Sequence, residues 1–143
     1  MVGAPRPLIP WVDPRVEVRA SAIEGGGLFA TAPIGAGEVV LGLDGRIVGD
    51  DELRSIIDGS DVYVDTLWLG EDRNLVLPPG TDVHFGNHSC EPSLRIDGMA
   101  FVALRDHAVG DELTIDYETI SGPGAERHVC ACGATACRGT FPG

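Results

Sequence analysis

The four cysteines of this chain are distributed so unevenly that they indicate a metal site. Cys130, Cys132 and Cys137 lie together in "CACGATACRGTF", whereas Cys90 lies far upstream in "GNHSCEPSL". Cys130 and Cys132 are too close in sequence to form an unstrained disulfide with each other. A structural zinc site takes four Cys or His ligands, and the three clustered thiols are one short of that number. Cys90 completes it, so the spacing favours zinc that attaches the tail to the body of the domain.

Other interpretations of the cysteines stay open at this point. In an oxidising compartment they would be free thiols or disulfides, and His88 or His128 has the donor atom to replace one of them at zinc. No apolar run approaches the ~18 residues of a membrane span. The first residues have no basic segment followed by an apolar stretch, so we expect no signal peptide. These features favour a reducing intracellular compartment, cytoplasmic or nuclear, where clustered cysteines more often bind metal.

Short β-strands are the elements that must position these groups. Twenty glycines and ten prolines indicate many tight turns. Alternating and apolar patterns predict strands in "VEVRAS", "GGGLFATAPIGAGEVVLGL", "DVYVDTLWL", "NLVL" and "MAFVALRDHAVGDELTIDYE". The helix candidate is "GDDELRSIID", with Asp50 or Asp51 as N-cap and Leu53, Ile56 and Ile57 on one face. The sequence thus predicts a mainly-β single domain with a small C-terminal appendage.

The charge of the chain limits its partners. Ten basic residues stand against twenty-two acidic ones, a formal net charge of −12. Nucleic-acid binding needs arginine and lysine to neutralise phosphates, so we expect no direct binding of nucleic acid. An acidic surface attracts basic proteins or lysine-rich peptides, although solubility alone also explains it. The sequence gives no indication of oligomeric state.

Four motifs in order resemble a known family. The segments "GGGLFA", "NHSCEP", "GDELTIDY" and "CACGATACRG" are similar to those of SET-domain protein lysine methyltransferases with a post-SET zinc-binding tail. The resemblance implies short β-sheets around a pseudoknot, in which the "NHSC" and "DELTIDY" segments are threaded together. Residues 1–15 hold four of the ten prolines, which predicts an extended N-terminal lead-in. The resemblance assigns residues 16–121 to the SET domain and 122–143 to the post-SET tail. It also implies one structural zinc ion, held by Cys90, Cys130, Cys132 and Cys137.

The same resemblance implies methyl transfer from S-adenosylmethionine to a lysine of a basic, histone-like protein. Tyr117 matches the catalytic tyrosine of the family, and Tyr63 matches a tyrosine that lines the lysine channel. The residues implied in cofactor binding are Gly25, Gly26, Gly27, Leu28, Phe85, Asn87, His88 and Phe141. Read alone, a glycine triplet predicts a turn, His88 a hydrogen-bonded core residue, and a tyrosine at a strand end a packed aromatic. Only the motif context assigns them to a site.

The chain also departs from the family pattern. Leu43 and Ile115 replace residues that are often aromatic in the lysine channel, and Ser93 replaces an asparagine common after "NHSCxP". These departures leave the number of methyl groups added undecided. The alternative to an enzyme is a non-catalytic SET module that binds a protein partner, and a zinc-stapled scaffold is a third possibility. Retention of Tyr117 favours the enzyme.

Overall fold

Short β-strands make up most of the regular structure in residues 10–143, the part of the chain that the computed structural model describes. Residues 1–9 of the predicted lead-in lie outside this part. The strands are β1 (Trp11–Val12), β2 (Val16–Ala20), β3 (Gly26–Ala30), β4 (Val39–Gly42), β5 (Arg46–Val48), β6 (Thr66–Gly70), β7 (Arg73–Val76), β8 (Leu94–Asp97), β9 (Ala100–Ala103), β10 (Arg127–Val129) and β11 (Thr140–Pro142). The helices are α1 (Asp50–Asp58) and two 3₁₀ turns, Asp82–Phe85 and Tyr117–Thr119.

The strands form four small antiparallel sheets. Their orders are β1-β4-β9-β8, β5-β7-β6, β2-β3 and β10-β11. Apolar side chains from the first three pack into one core, with the largest fully buried members being Phe101, Leu28, Ile34, Leu41, Leu75, Leu94, Leu113 and Val40. The β10-β11 hairpin carries the cysteine tail and packs on the outside of this core. The predicted mainly-β architecture with one α-helix is confirmed.

The segment that contains "DELTIDY" is held between other parts of the chain. Ile115 forms parallel bridges with both His88 and Leu94. The Ile115 N–H donates to the Asn87 carbonyl at 2.9 Å, and the Ser89 N–H donates to the Ile115 carbonyl at 3.0 Å. The two segments that the resemblance pairs therefore lie side by side. The prediction of a continuous strand in this segment is wrong, because its backbone groups form hydrogen bonds with several different segments and not with one partner strand.

Helix α1 confirms the predicted helix but not its cap. Its N-cap is Gly49, which makes no side-chain capping bond. The Asp50 carboxylate accepts from the Asn74 side-chain amide at 2.8 Å, and the Asp50 N–H donates to Asp72 at 2.8 Å. Because Asp50 is used in these contacts, it cannot cap its own helix. None of the α1 residues is buried, and its apolar face borders an open cavity instead of the core.

The strand predicted in "DVYVDTLWL" begins later than expected. Residues 61–65 are irregular and β6 starts at Thr66. A local turn explains the beginning of this segment, since the Ser60 hydroxyl accepts from the Val62 N–H at 3.2 Å and donates to the Val62 carbonyl at 2.8 Å. The shortened strand leaves Tyr63 and Asp65 in a loop beside the cavity.

Candidate active site and metal centre

The four cysteines lie together in space. One ligand atom from each of Cys90, Cys130, Cys132 and Cys137 falls within 4.8 Å of the others. The sulfurs of Cys90 and Cys130 are 3.8 Å apart. Tetrahedral zinc with bonds of about 2.3 Å separates its sulfurs by about 3.8 Å. The four thiols therefore fit a structural zinc ion, and they leave no position for a catalytic water.

Backbone groups around the cluster favour thiolates. The N–H groups of Arg138 and Gly139 donate to the sulfurs of Cys90 and Cys137 at 3.3 and 3.4 Å. Burial raises the pKa of the Cys130 thiol to about 12. Burial acts in the same direction on Cys132, but hydrogen bonds from the backbone of Cys90 and Ala134 and from the thiols of Cys130 and Cys137 together lower that pKa to about 6. At least one sulfur is thus ready to act as an anionic ligand.

Two arginines of the tail attach it to the residues around Tyr117. The Arg138 guanidinium binds the Asp116 carboxylate with both of its terminal nitrogens, at 2.7 and 3.2 Å. Arg127 donates to the Glu118 carboxylate at 2.8 Å. Paired contacts of this kind fix orientation as well as distance. Neither pair could be predicted from the sequence, since each joins two segments that only the fold brings together.

His88 lies between the cysteine cluster and Tyr117. Its Nδ1 accepts a hydrogen bond from the Tyr117 N–H at 3.1 Å, and its Nε2 is 3.4 Å from the Cys90 sulfur. Burial lowers the pKa of His88, so the neutral ring carries its proton on Nε2, facing that sulfur. Phe141 stacks on the His88 ring at 4.8 Å and meets Tyr117 edge-on at 5.7 Å. The tail therefore contacts the tyrosine directly and through His88.

The glycine segment is held against the "NHSC" segment by Asn87. Its side-chain amide donates to the carbonyls of Glu24 and Gly26, both at 3.0 Å, and to the Glu112 carboxylate at 3.1 Å. Glu112 also accepts from the Ser21 hydroxyl at 2.8 Å. These bonds bring together residues from three separate stretches of sequence. Glu112 and Ser21 belong to this site, and the sequence analysis did not single them out.

The glycines in this segment allow close packing. Gly25 has a φ of +37°, which other residues seldom adopt, and a Cβ on Gly27 would lie 2.4 Å from the Glu112 carboxylate. A Cβ on Gly26 would lie 2.9 Å from the ring of Phe85, which is 40% exposed. An exposed aromatic ring beside a bare backbone suits a flat heterocyclic ligand. Leu28 is fully buried in the core, so its side chain cannot contact such a ligand.

Tyr117 borders a cavity of 1180 Å³, whose lining includes Phe85 and Gly86 but not the glycines at positions 25 to 27. The cavity lies between α1, the loop before β6 and the segment after Ile120, and Leu53, Ile56 and Ile57 form its apolar wall. Tyr63 also lines it, although this side chain is 84% exposed. The two predicted tyrosines therefore share one cavity, with Tyr117 at its inner end and Tyr63 at its rim.

The environment of Tyr117 keeps its phenol neutral. Burial raises its pKa well above the usual value, and the nearby Asp65 carboxylate acts in the same direction. Its hydroxyl donates to the Gly86 carbonyl, which fixes the oxygen at the inner end of the cavity. With its proton so engaged, this oxygen presents lone pairs to an incoming N–H group.

Two of the three departures from the family pattern, Leu43 and Ile115, fall around the same cavity. Leu43 and Ile115 are buried and line it with aliphatic carbon. A Cβ on Gly86 would lie 2.7 Å from Ile115, so this glycine makes room for the isoleucine. Ser93 is buried away from the cavity, and its hydroxyl donates to the Glu112 carbonyl at 2.9 Å. Ser93 thus supports the segment that carries Glu112.

Known proteins resemble the chain in both sequence and structure. Residues 25–118 match the family described as SET domain. Histone-lysine N-methyltransferase ATX2 of Arabidopsis thaliana is 34% identical over 139 residues, which cover 87% of this chain and 13% of that protein. Human histone-lysine N-methyltransferase 2B is 34% identical over 136 residues, covering 86% and 5%. The structure of the methyltransferase domain of human histone-lysine N-methyltransferase SETMAR matches with a TM-score of 0.69 at 27% identity, covering 89% of this chain and 57% of that one.

These similarities confirm the fold that the motifs implied. The chain corresponds to 13% or less of the length of the two relatives named above. Within residues 10–143, no helix has the length and apolar character needed to cross a membrane.

Proposed function

The chain belongs to the SET-domain family, and we propose that it transfers a methyl group from S-adenosylmethionine to a lysine side chain of a basic, histone-like protein. The observation that carries this proposal is the position of Tyr117. Its fixed, neutral hydroxyl lies at the inner end of a cavity and donates to the Gly86 carbonyl. The next residue along the chain, Asn87, donates to the carbonyl of Gly26 in the glycine segment. A lysine entering the cavity and a methyl donor beside Gly26 would therefore meet near this oxygen.

Methyl transfer requires a neutral amine. An unperturbed lysine has a pKa of about 10.4, so its deprotonation near pH 7.4 costs about 4 kcal/mol. The apolar wall of the cavity reduces this cost, because desolvation disfavours the ammonium. The Tyr117 oxygen accepts a hydrogen bond from the amine and orients its lone pair, which is catalysis by positioning.

S-adenosylmethionine supplies an electrophilic methyl group on a sulfonium when it is bound. We assign its contacts to Gly25, Gly26, Gly27, Phe85, Asn87 and His88, with Leu28 contributing only through its backbone and Phe141 closing the site from the tail. Asn87 and the glycines are already held together by hydrogen bonds, which favours a preformed site. Zinc on the four cysteines is structural in this proposal and takes no part in the chemistry. The reducing compartment stays a prediction consistent with free thiols.

The experiment is transfer of labelled methyl to purified basic proteins by the zinc-loaded chain. The chain contains no lysine, so any label found on lysine belongs to the substrate. Tyr117→Phe removes the oxygen and keeps the ring that packs against His88 and Phe141. We expect label on lysine in the wild type and at least about a hundredfold less in this variant, consistent with the loss of a positioned group. Equal transfer by both proteins would contradict the role of Tyr117.

A binding-module function predicts a different result. Because Tyr63 is exposed, the outer rim of the cavity is open, and a peptide could bind at this rim without any methyl transfer. In that case the zinc-loaded chain would bind basic peptides and give no label with any of them, even where cofactor binding is detected by calorimetry.

A further inference from the structure

An aspartate and a histidine form a close pair on the cavity wall. The Nδ1 atom of His84 is 2.5 Å from the Asp65 carboxylate, and its Nε2 donates to the Pro78 carbonyl at 2.9 Å. Both ring nitrogens thus face acceptors, which fixes the orientation of the ring. Asp65 immediately precedes β6, and His84 lies in the 3₁₀ turn that leads into Phe85 and Gly86. None of the roles assigned above uses this pair.

The pair faces the space in which the lysine side chain must lie. Asp65 and His84 line the same cavity as Tyr63 and Tyr117, and their side chains are 23% and 24% exposed. The Asp65 carboxylate is near enough to raise the pKa of the phenols of both Tyr63 and Tyr117. The remaining charged residues on the cavity lining are Asp50, Asp58, Asp82 and Arg54, and α1 and the start of the 3₁₀ turn carry them. Among the described residues the lining is therefore acidic, and Asp65 lies near both tyrosines with its partner His84 beside it.

His84 opposes the effect of burial on this carboxylate. Burial is the larger influence and raises the pKa of Asp65 above its usual value, whereas the charge and hydrogen bond of His84 lower it. Without the histidine, a carboxylate at this partly buried position would take up a proton more readily. A carboxylate that is 23% exposed at a cavity wall and oriented by a histidine is suited to bind a cation.

We propose that Asp65, oriented by His84, is a specificity-determining residue that binds the ε-ammonium group of the incoming lysine before it reaches Tyr117. This inference rests on the proposed function, because it assigns the substrate contact of the same cavity. The ammonium contacts the carboxylate, releases its proton to solvent through the open rim of the cavity, and moves inward as the neutral amine toward the Tyr117 oxygen. Asp65 is accordingly a determinant of binding, whereas His84 is a positioning residue.

The experiment compares binding of two synthetic basic peptides to the zinc-loaded chain. One peptide contains a single lysine, and the other has norleucine at that position, which keeps the carbon chain and lacks the ammonium. We expect wild type to prefer the lysine peptide, and Asp65→Asn to reduce this preference roughly tenfold, because a hydrogen bond to a charged group contributes about that factor. His84→Gln should reduce the preference by less. Affinity for the norleucine peptide should stay unchanged in both variants.

Asp58→Asn is the matched control, since it removes the same charge from the exposed rim of the cavity. An equal loss of preference in this control would overturn the proposal, as would an equal loss of affinity for both peptides in Asp65→Asn. Thermal melting of each variant confirms folding, and His84→Gln decides the question if Asp65→Asn does not fold. The proposed function can fail separately: a lysine preference that depends on Asp65, with no methyl transfer to any lysine, supports a cation site and refutes the enzyme.

Discussion

Replacing Phe141 by alanine should weaken the docking of the tail onto the domain. Phe141 forms two aromatic contacts with the domain, a stacked one with His88 and an edge-on one with Tyr117. Each such pair is worth about 0.5–1.5 kcal/mol beyond buried area, so losing both destabilises docking by about 1–3 kcal/mol. That free energy corresponds to opening that is about 5- to 150-fold more frequent. The arginine pairs at Asp116 and Glu118 break in the same opening, whereas zinc would keep the tail tethered to Cys90, so the hairpin should swing away from Tyr117 without unfolding.

Tryptic cleavage measures this opening. Trypsin can cut this chain only after arginine, and Arg127 and Arg138 are both engaged by carboxylates when the tail is docked. When opening and closing are fast, the cleavage rate follows the fraction of open molecules. Zinc-loaded Phe141→Ala should be cut at these sites about 5- to 150-fold faster than wild type. Val129→Ala is the control, because Val129 lies on the same hairpin and is 84% exposed. Equal rates for the two variants would refute the docking role of Phe141.

Three further outcomes follow from the same contacts. Removing zinc with a chelator, or Cys137→Ser, should abolish amide-exchange protection in residues 127–142 and leave the core strands protected; loss of protection throughout would show that the domain also depends on zinc. Gly27→Ala should lower the free energy of unfolding in urea by about 1–3 kcal/mol, since the new Cβ displaces the Glu112 carboxylate from Asn87 and Ser21; an unchanged midpoint would contradict this. The hydrogen bonds of Arg15 hold the pKa of Asp13 below its usual value, so this pair stabilises the fold above about pH 4 and the effect is lost as pH falls through the lower, folded pKa. Asp13→Asn should therefore be less stable by about 1 kcal/mol at neutral pH and match wild type near pH 2; a difference that persists in acid would exclude this origin.

Local patterns in the sequence predicted most elements because those elements depend on local physics. Alternation in "VEVRAS" and the apolar spacing of "DELRSIID" gave β2 and α1 nearly at their observed bounds. The cap of α1 could not be predicted in this way, since Asp50 forms hydrogen bonds with Asn74 and Asp72, which lie more than twenty residues away in the sequence. The residues of "DELTIDY" have a strand-like sequence, but their backbone bonds are divided among Leu28, Asn87 and Leu94. Such sharing is a property of the tertiary arrangement alone.

The candidate site shows the same division. Spacing identified three cysteines and the need for a fourth ligand, but only the motif resemblance selected Cys90 over a histidine. The cluster is confirmed as geometry, whereas the roles of Tyr117, Tyr63 and the cofactor contacts remain proposals. The pairs Asp65–His84 and Arg138–Asp116 join residues 19 and 22 positions apart. Nothing in either local sequence distinguishes these groups from ordinary surface charges, so only the fold brings them into view.

The four-cysteine site and Tyr117 are connected by two short routes, each a chain of contacts that begins at a different cysteine. In the first route, the Nε2 atom of His88 contacts the Cys90 sulfur, and its Nδ1 atom accepts a hydrogen bond from the Tyr117 N–H. Cys137 is followed by Arg138, which binds Asp116, the residue immediately before Tyr117. A zinc ion on the four cysteines would fix both of these residues relative to each other and would close a ring of contacts around one tyrosine. A ring constrains the tyrosine backbone from two sides, and breaking either route leaves the other. We therefore expect single changes on one route to weaken activity, and only loss of zinc or changes on both routes together to abolish it.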